Sequence, residues 1–122
     1  VEGDACLVTV ARTLVGSVRP EHDLVARLGG EEFAVVLGDV STQEALARAE
    51  TIRANVQALP TSGAQRVRRR VTVSIGVSIR EAERPKSLSD LMEEADAAVY
   101  RAKSDGRNRV CLDSRPQAQH VA

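Results

Sequence analysis

The tetrapeptide Gly-Gly-Glu-Glu at residues 29–32 constrains the folding of this chain more than any other feature. The segments on either side of it, 24–28 and 33–37, are apolar runs of strand length. Two such runs joined by a short glycine-containing segment are typical of a β-hairpin, and glycine lets a backbone turn tightly. We therefore predict a hairpin over residues 23–38, with both glutamates at its tip.

The two glutamates of this turn admit two interpretations. A fold gains nothing structural from adjacent carboxylates on a glycine turn, whereas a divalent metal that carries phosphates needs oxygen ligands on open backbone. A solvated turn that happens to be acidic is the alternative. Because side chains alternate along a strand, we expect Glu31 and Glu32 to face opposite sides, so that one can reach a metal and the other can orient a ligand.

Apolar residues recur at helical spacing on both sides of the hairpin. The first predicted helix spans residues 5–18, with Asp4 at the position of an N-cap. The second follows a capping box, in which Ser41 comes three residues before Glu44, and it runs to about Ala58.

The second half of the chain predicts a strand, a helix and a short strand. Strict alternation of apolar and polar residues predicts a long strand over 71–79. The third helix is predicted to begin after Ser89 and to end at Gly106, a natural left-handed C-cap, and a strand over 109–112 follows. The mixed order of helices, hairpin and strands predicts the α+β class, a sheet covered by helices.

Three further groups of polar residues each allow a structural and a functional role. Lys103 and Arg107 flank the end of the third helix, where cations complement the helix dipole but could also clamp a polyphosphate. Asp4 is an N-cap or an acceptor for the edge of a guanine base. The basic segment 66–70 is a phosphate site or the solvated end of strand 71–79.

Composition argues against several classes of function. Seventeen basic and seventeen acidic residues cancel, which gives no electrostatic case for duplex DNA or an anionic membrane. Phe33 and Tyr100 are the only aromatic residues, too few for a platform that stacks single-stranded bases. The chain contains no apolar run of membrane-spanning length and no signal peptide, and Cys6 and Cys111 have no metal-type or redox-type spacing. We therefore predict a cytoplasmic location.

Four segments, at 27–33, 72–77, 95–103 and 106–108, together resemble the GGDEF family, the diguanylate cyclase domain of bacterial signalling proteins. They occur in the order and at the spacing of that family, and the resemblance extends over nearly the whole chain, from Gly3 to about Val110. The resemblance implies a fold like the palm of adenylate cyclases and polymerases, a mixed antiparallel sheet with helices packed on it.

The resemblance also implies a reaction, in which two GTP molecules condense to cyclic di-GMP with loss of pyrophosphate. Each 3′-hydroxyl attacks the α-phosphate of the other nucleotide, so two domains that hold one GTP each work as a homodimer. The implied cofactor is Mg²⁺ or Mn²⁺, which neutralises phosphate charge and lowers the pKa of the attacking hydroxyl. A sensory or receiver domain upstream in the parent protein is a further implied partner.

Site residues follow from the resemblance position by position. Glu31 corresponds to the acid that binds the metal and helps to deprotonate the hydroxyl, and Glu32 is its partner in the signature. The resemblance assigns Gly29 and Gly30 to close approach of the nucleotide and Asp4 to the guanine base. Lys103 and Arg107 match the cations that hold the β- and γ-phosphates.

The chain departs from the family at its N-terminal side. The family's first strand carries a metal-binding aspartate, and a lysine and an asparagine that touch the nucleotide follow it; all lie upstream of residue 3. In a palm-type sheet that strand is central, between strands 33–37 and 71–79, and its removal leaves backbone groups unpaired. We therefore expect the 122-residue chain alone to be a poor enzyme, either a fragment of a longer protein or one that fills the slot with another chain.

A second departure concerns the inhibitory site of the family, an Arg-x-x-Asp motif where the product binds. Asp23 stands at the aspartate position, but Pro20 occupies the arginine position and Arg19 is one residue off. Because proline offers no donor to a phosphate, we expect weak or absent product inhibition through this site.

These observations predict a cyclase domain over residues 1–113 and a polar, disordered tail over 114–122. The alternative function is a non-catalytic GGDEF module that binds GTP, cyclic di-GMP or a protein partner. A plain α+β scaffold without a ligand is the remaining rival.

Overall fold

The computed structural model describes residues 2–60 and 71–113. Its elements follow the predicted order and confirm the α+β class; they are α1 (Glu2–Gly16), β1 (Leu24–Gly29), β2 (Glu32–Val36), α2 (Thr42–Gln57), β3 (Ile75–Val77), α3 (Leu88–Ser104) and β4 (Val110–Leu112). The chain divides into two compact units, Val1–Val73 and Ser74–Ala122. The first unit contains α1, β1, β2 and α2, and the second contains β3, α3 and β4.

The predicted hairpin is confirmed. Strands β1 and β2 pair antiparallel, with Leu24 opposite Val36 and Arg27 opposite Phe33. The register shifts between Arg27 and Gly29, so the hairpin contains a bulge next to its turn. No residue of either strand is buried. The backbone ladder, rather than a buried apolar face, therefore holds these two strands together.

The apolar core of the first unit lies on its two helices, which contact each other. Its buried residues recur at helical spacing and are Val10, Leu14, Ala45, Ala49, Ile52 and Val56. The predicted capping box of α2 is confirmed: the Glu44 backbone N–H donates to Ser41 Oγ at 3.0 Å, and the Ser41 backbone N–H donates to Glu44 Oε1 at 3.3 Å. This reciprocal pair satisfies two N–H groups that a helix start otherwise leaves free.

Helix α1 begins three residues before its predicted start and ends two residues before its predicted end. It already contains Asp4, so the prediction that Asp4 caps this helix is wrong. Its C-terminal end at Gly16 agrees with the low helix propensity of glycine. Apolar periodicity locates such a helix well but leaves its ends uncertain by a few residues.

In the second unit, β3 and β4 pair in parallel and α3 packs on both strands. Gly76 makes this close packing possible, because a Cβ at Gly76 would overlap backbone atoms of Ala95 and Val99. The buried residues of α3 are Ala98 and Ala102, which present small side chains to the strands. A small residue in the strand and small residues in the helix thus let the two backbones approach closely.

The predicted strand over 71–79 is too long, because only Ile75–Val77 form a strand. Its backbone pairs with β4 alone among the described residues, and the alternating pattern continues beyond that ladder. The described strands form two two-stranded sheets, antiparallel β1–β2 and parallel β3–β4. The central strand that the resemblance implies upstream of residue 3, between segments 33–37 and 71–79 in the sheet, stays a prediction.

The start of α3 also differs from the prediction. Ser87, not Ser89, is the N-cap, and its Oγ accepts the backbone N–H of Asp90 at 3.0 Å. Both serines are N-cap residues by type, and Leu88 is already helical, so the earlier serine begins the helix. At the other end the prediction is confirmed, because Gly106 follows the C-cap Asp105 with a positive φ of 126°.

The remaining predictions concern the basic segment, the tail, the cysteines and membrane-spanning character. The basic segment 66–70 and the tail 114–122 lie outside the described residues. Within the described residues, Cys111 is a free, partly buried thiol, as predicted. The same residues include no helix with both the length and the apolar character needed to cross a bilayer.

Candidate functional site

The signature turn, residues 29–32, places two carboxylates in solvent at the tip of the hairpin. All four residues are exposed. The φ angles of Gly29 and Gly30 are 144° and 53°, and both values favour glycine over residues with a side chain. Apart from the chain neighbours of each glycine, no atom of the described residues lies within 4 Å of the position where a Cβ would stand on Gly29 or Gly30. The turn is therefore open on the side where a ligand would approach.

The two acids occupy different kinds of backbone. Glu32 is the first residue of β2, whereas Glu31 lies in the turn before it. The expectation that the two side chains face opposite sides rests on strand alternation. Alternation holds within β2, and Glu31 lies outside that strand. That expectation stays a prediction, and the turn geometry directs Glu31 instead.

The predicted phosphate-binding cations lie together around the end of α3. Lys103 is in the last turn of the helix and Arg107 follows the glycine after it, and both side chains are exposed. The Arg107 backbone N–H donates to the Ala102 carbonyl at 2.8 Å, which closes the helix end through Gly106 in a Schellman motif. Two cations therefore stand on one well-defined helix terminus.

Sequence reasoning missed how strained this terminus is. Arg107 and Asn108 have φ angles of 64° and 51°, a conformation that residues with side chains rarely adopt. The Asn108 backbone N–H donates to Ser74 Oγ at 3.2 Å, a contact that ties the loop to the segment before β3. Asparagine after a helix-ending glycine was a usable signal for this conformation, but the role of Ser74 required the structure.

Asp4, the predicted guanine acceptor, lies in the first turn of α1. The structure thus gathers Gly29, Gly30, Glu31 and Glu32 on one turn of the first unit and Lys103 and Arg107 on one helix end of the second. Each of these two groups is compact, exposed and carries charge of one sign.

Asp23 has a different environment from the other predicted site residues, because its carboxylate has no exposure to solvent. It accepts hydrogen bonds from the Arg19 backbone N–H at 2.7 Å and from Arg19 Nε and Nη2 at 3.1 and 2.8 Å. The Gly38 backbone N–H and Arg48 Nη1 add donors at 3.0 and 3.2 Å. We call these four residues, Asp23, Arg19, Gly38 and Arg48, the Asp23 cluster.

The Asp23 cluster joins both ends of the hairpin to each other and to α2. Arg19 also donates to the Gly38 carbonyl, so the segment before β1 is bound to the segment after β2. Hydrogen bonds from the Arg19 side chain hold the pKa of Asp23 far below its ordinary value, although burial opposes this shift. Asp23, which the resemblance places in a degenerate inhibitory site, is thus ionised and surrounded by donors from its own chain.

The described residues include no group of three or more His, Cys, Asp or Glu side chains that could hold a metal ion. The signature turn offers two adjacent carboxylates, those of Glu31 and Glu32. They fit a Mg²⁺ ion that receives its other ligands from nucleotide phosphates and water, because such ions use only one or two protein carboxylates. They do not make a metal site by themselves.

Comparison with known proteins decides the family. The model of the GGDEF domain, described as diguanylate cyclase, matches residues 1–109 of this chain. The chain belongs to the GGDEF family. The family assignment covers both the signature turn and the cationic end of α3.

Named relatives agree with this assignment. Diguanylate cyclase DgcM of Escherichia coli strain K12 is 46% identical over 109 residues, which make up 89% of this chain and 25% of DgcM. Response regulator PleD of Caulobacter vibrioides is 42% identical over 111 residues, or 88% of this chain and 24% of PleD. This GGDEF chain therefore spans about a quarter of the length of these curated relatives.

Solved structures of other GGDEF domains confirm the predicted palm-like fold. The GGDEF domain of DgcB from Caulobacter crescentus, solved in complex with c-di-GMP, has a TM-score of 0.80 and 31% identity, with 90% of this chain and 64% of that chain covered. The active GGEEF domain of a diguanylate cyclase from Vibrio cholerae has a TM-score of 0.77 and 26% identity, with 94% and 70% covered.

Proposed function

We propose that this GGDEF domain catalyses the condensation of two GTP molecules to cyclic di-GMP and two pyrophosphates. The observation that carries the proposal is the signature turn, which presents Glu31 and Glu32 to solvent on a backbone without Cβ atoms at Gly29 and Gly30. Among the described residues, neither glutamate side chain makes a hydrogen bond or ion pair that would explain its place on the turn. The turn suits a ligand that brings both positive charge and phosphate oxygens.

Each residue of the candidate site has a role in this proposal. Lys103 and Arg107 bind the β- and γ-phosphates, where two exposed cations at a fixed helix end can neutralise the charge of a polyphosphate. Gly29 and Gly30 let the nucleotide approach the turn, and Asp4 accepts hydrogen bonds from the guanine edge. Glu31 would hold Mg²⁺ or Mn²⁺ with Glu32 as its partner, and the ion would supply charge neutralisation and a lowered pKa for the attacking hydroxyl.

The proposed chemistry is balanced over two domains. The 3′-oxygen of each GTP forms a bond to the α-phosphorus of the other, and the bond from that phosphorus to the pyrophosphate oxygen breaks. Glu31 accepts or relays the proton of the hydroxyl. Because each nucleotide is nucleophile and electrophile in turn, two copies of the domain must face each other, and an upstream sensory or receiver domain would control that pairing in the cytoplasm.

A non-catalytic module that binds GTP, cyclic di-GMP or a protein is the second candidate. The observation that favours it is the absence of a third carboxylate beside Glu31 and Glu32 among the described residues. A domain that retains the cations of α3 but lacks a metal site would still bind a polyphosphate.

Cyclic di-GMP formation from GTP and Mg²⁺ distinguishes the two candidates. It should be measured for the protein at its full natural length, for the 122-residue chain and for a full-length Glu31→Gln variant. We expect turnover by the full-length protein, much less by the chain alone, and a loss of at least about a hundredfold in Glu31→Gln.

The matched control is Glu83→Gln, which neutralises an exposed glutamate in the second unit. It should leave turnover unchanged. GTP binding without cyclic di-GMP formation by the full-length protein would establish the non-catalytic module instead. Equal turnover by the chain and the full-length protein would contradict the prediction that an upstream strand is needed.

A further inference from the structure

Arg27 makes a contact that links it to the signature turn. It lies in β1, and its guanidinium bends over the turn so that Nε and Nη2 both donate to the Gly30 carbonyl, at 3.1 and 2.7 Å. Two donors of one planar group on a single oxygen restrict both the position and the direction of that oxygen. Arg27 itself is exposed, and it belongs to the segment 27–33 that carries the signature.

The Gly30 carbonyl is the atom that matters most for the direction of Glu31. It belongs to the peptide group that joins these two residues, so its orientation determines where the Glu31 backbone leaves the turn. Gly29 and Gly30 are the residues least able to fix that orientation themselves, because glycine has access to a wide range of φ and ψ. The bulge between Arg27 and Gly29 removes a regular ladder partner at the same place.

We infer that Arg27 is a positioning residue for Glu31: its guanidinium holds the Gly30 peptide and so directs the Glu31 carboxylate toward the metal and the hydroxyl. This inference rests on the proposed function, since it assigns Glu31 to the reaction. The positive charge strengthens both hydrogen bonds to the carbonyl. Arg27 touches neither substrate nor metal in this role.

A role confined to stability predicts a different result from a positioning role. Arg27, Gly30 and Glu31 are all exposed, and a hydrogen bond exposed to water adds little to the stability of a fold. A catalytic carboxylate displaced by a fraction of its side-chain length, in contrast, lowers the rate steeply. Loss of the contact should therefore reduce kcat while Tm and the KM for GTP stay nearly constant.

The test compares Arg27→Gln and Arg27→Lys in the full-length protein with the control Arg84→Gln, an exposed arginine in the second unit. Arg27→Gln should lower kcat about tenfold or more with unchanged Tm. Arg27→Lys should restore only part of the lost kcat, because lysine keeps the charge but not the two-donor fork. Arg84→Gln should match the wild type. Wild-type kcat in Arg27→Gln, or full activity in Arg27→Lys, would overturn the inference, because the two-donor fork would then be dispensable.

A second measurement separates this inference from the proposed function. Backbone ¹⁵N order parameters of Gly29 and Gly30 should fall in Arg27→Gln, because the peptide loses both donors. If the wild type makes no cyclic di-GMP, the proposed function fails, and these order parameters still decide whether Arg27 fixes the turn. Unchanged order parameters in Arg27→Gln would overturn the inference whatever the activity.

Discussion

The two ends of the hairpin are held in opposite ways. At its base, Asp23 is shielded from solvent and accepts five hydrogen bonds from three other residues. At its tip, the signature turn is exposed and one arginine contacts one carbonyl. The Asp23 cluster attaches the base of the hairpin to α2, whereas the tip is exposed and can meet a ligand.

This difference separates stability from activity along one short element. A buried carboxylate that loses its donors, or donors that lose their carboxylate, destabilise a fold strongly. A side-chain change in an exposed turn that leaves the backbone unstrained costs little stability but alters where a reacting group stands. Substitutions at the base should therefore act on unfolding, and substitutions at the tip should act on turnover.

The largest stability effect is expected for Asp23→Asn. The amide is neutral and cannot accept all five hydrogen bonds, so Arg19 and Arg48 lose their counter-charge in a poorly solvated place. We expect Tm to fall by several degrees, as measured by calorimetry, while kcat per folded molecule changes little. Asp96→Asn, at an exposed position of α3 in the second unit, is the control and should leave Tm unchanged. If the control loses as much Tm as Asp23→Asn, the loss does not come from the hydrogen bonds of the Asp23 cluster.

Acid should weaken the base of the hairpin. Because hydrogen bonds from Arg19 depress the pKa of Asp23 in the folded state, its ionised form stabilises the fold above the unfolded-state pKa of about 4. That contribution is lost as the pH falls from there toward the depressed folded-state value. Urea unfolding of the wild type and Asp23→Asn should thus converge at low pH, and a constant difference down to pH of about 2 would contradict the role of Asp23.

The sequence predicts the tip of the hairpin much better than its base. Two glycines between apolar runs, and a serine three residues before a glutamate, are local signals, and the structure contains the hairpin and the capping box they indicate. The Asp23 cluster depends on residues that lie up to 25 positions apart. Comparison by position alone identified Asp23 as part of a degenerate inhibitory site and noted Arg19 as displaced, but folding brings Arg19 onto Asp23.

The contrast between local signals and contacts distant in sequence also explains where the structure differs from the other predictions. The alternation over 71–79 indicates strand character correctly, but a strand exists only where a neighbour completes its ladder, which leaves Ile75–Val77. Ser87 and Ser89 are equivalent by residue type, and only the start of the helix distinguishes them. The cations Lys103 and Arg107 were located correctly because a glycine cap is a local feature.

Gly30→Ala tests the tip. Alanine has room for its side chain here, since no described residue beyond the chain neighbours comes within 4 Å of the Cβ position, but a φ of 53° is unfavourable for it. The expected cost is about 1–2 kcal/mol of unfolding free energy, measured by urea denaturation, together with a larger proportional loss of kcat. Gly16→Ala, at the end of α1 with equal room and no positive φ, is the matched control and should lose neither. A Gly30→Ala variant with full activity would show that the turn tolerates other backbone conformations.

Arg48→Met should have the smallest effect, and it decides whether the Asp23 cluster acts as a unit. Arg48 gives Asp23 one hydrogen bond at 3.2 Å, and its side chain is 24% exposed, whereas Arg19 gives three shorter or comparable contacts. If the donors act independently, Arg48→Met lowers Tm by a small part of the loss in Asp23→Asn, because methionine keeps the apolar stem of arginine. If Arg48→Met costs nearly as much, the donors depend on one another, and the hairpin base is a cooperative network that one missing partner disrupts.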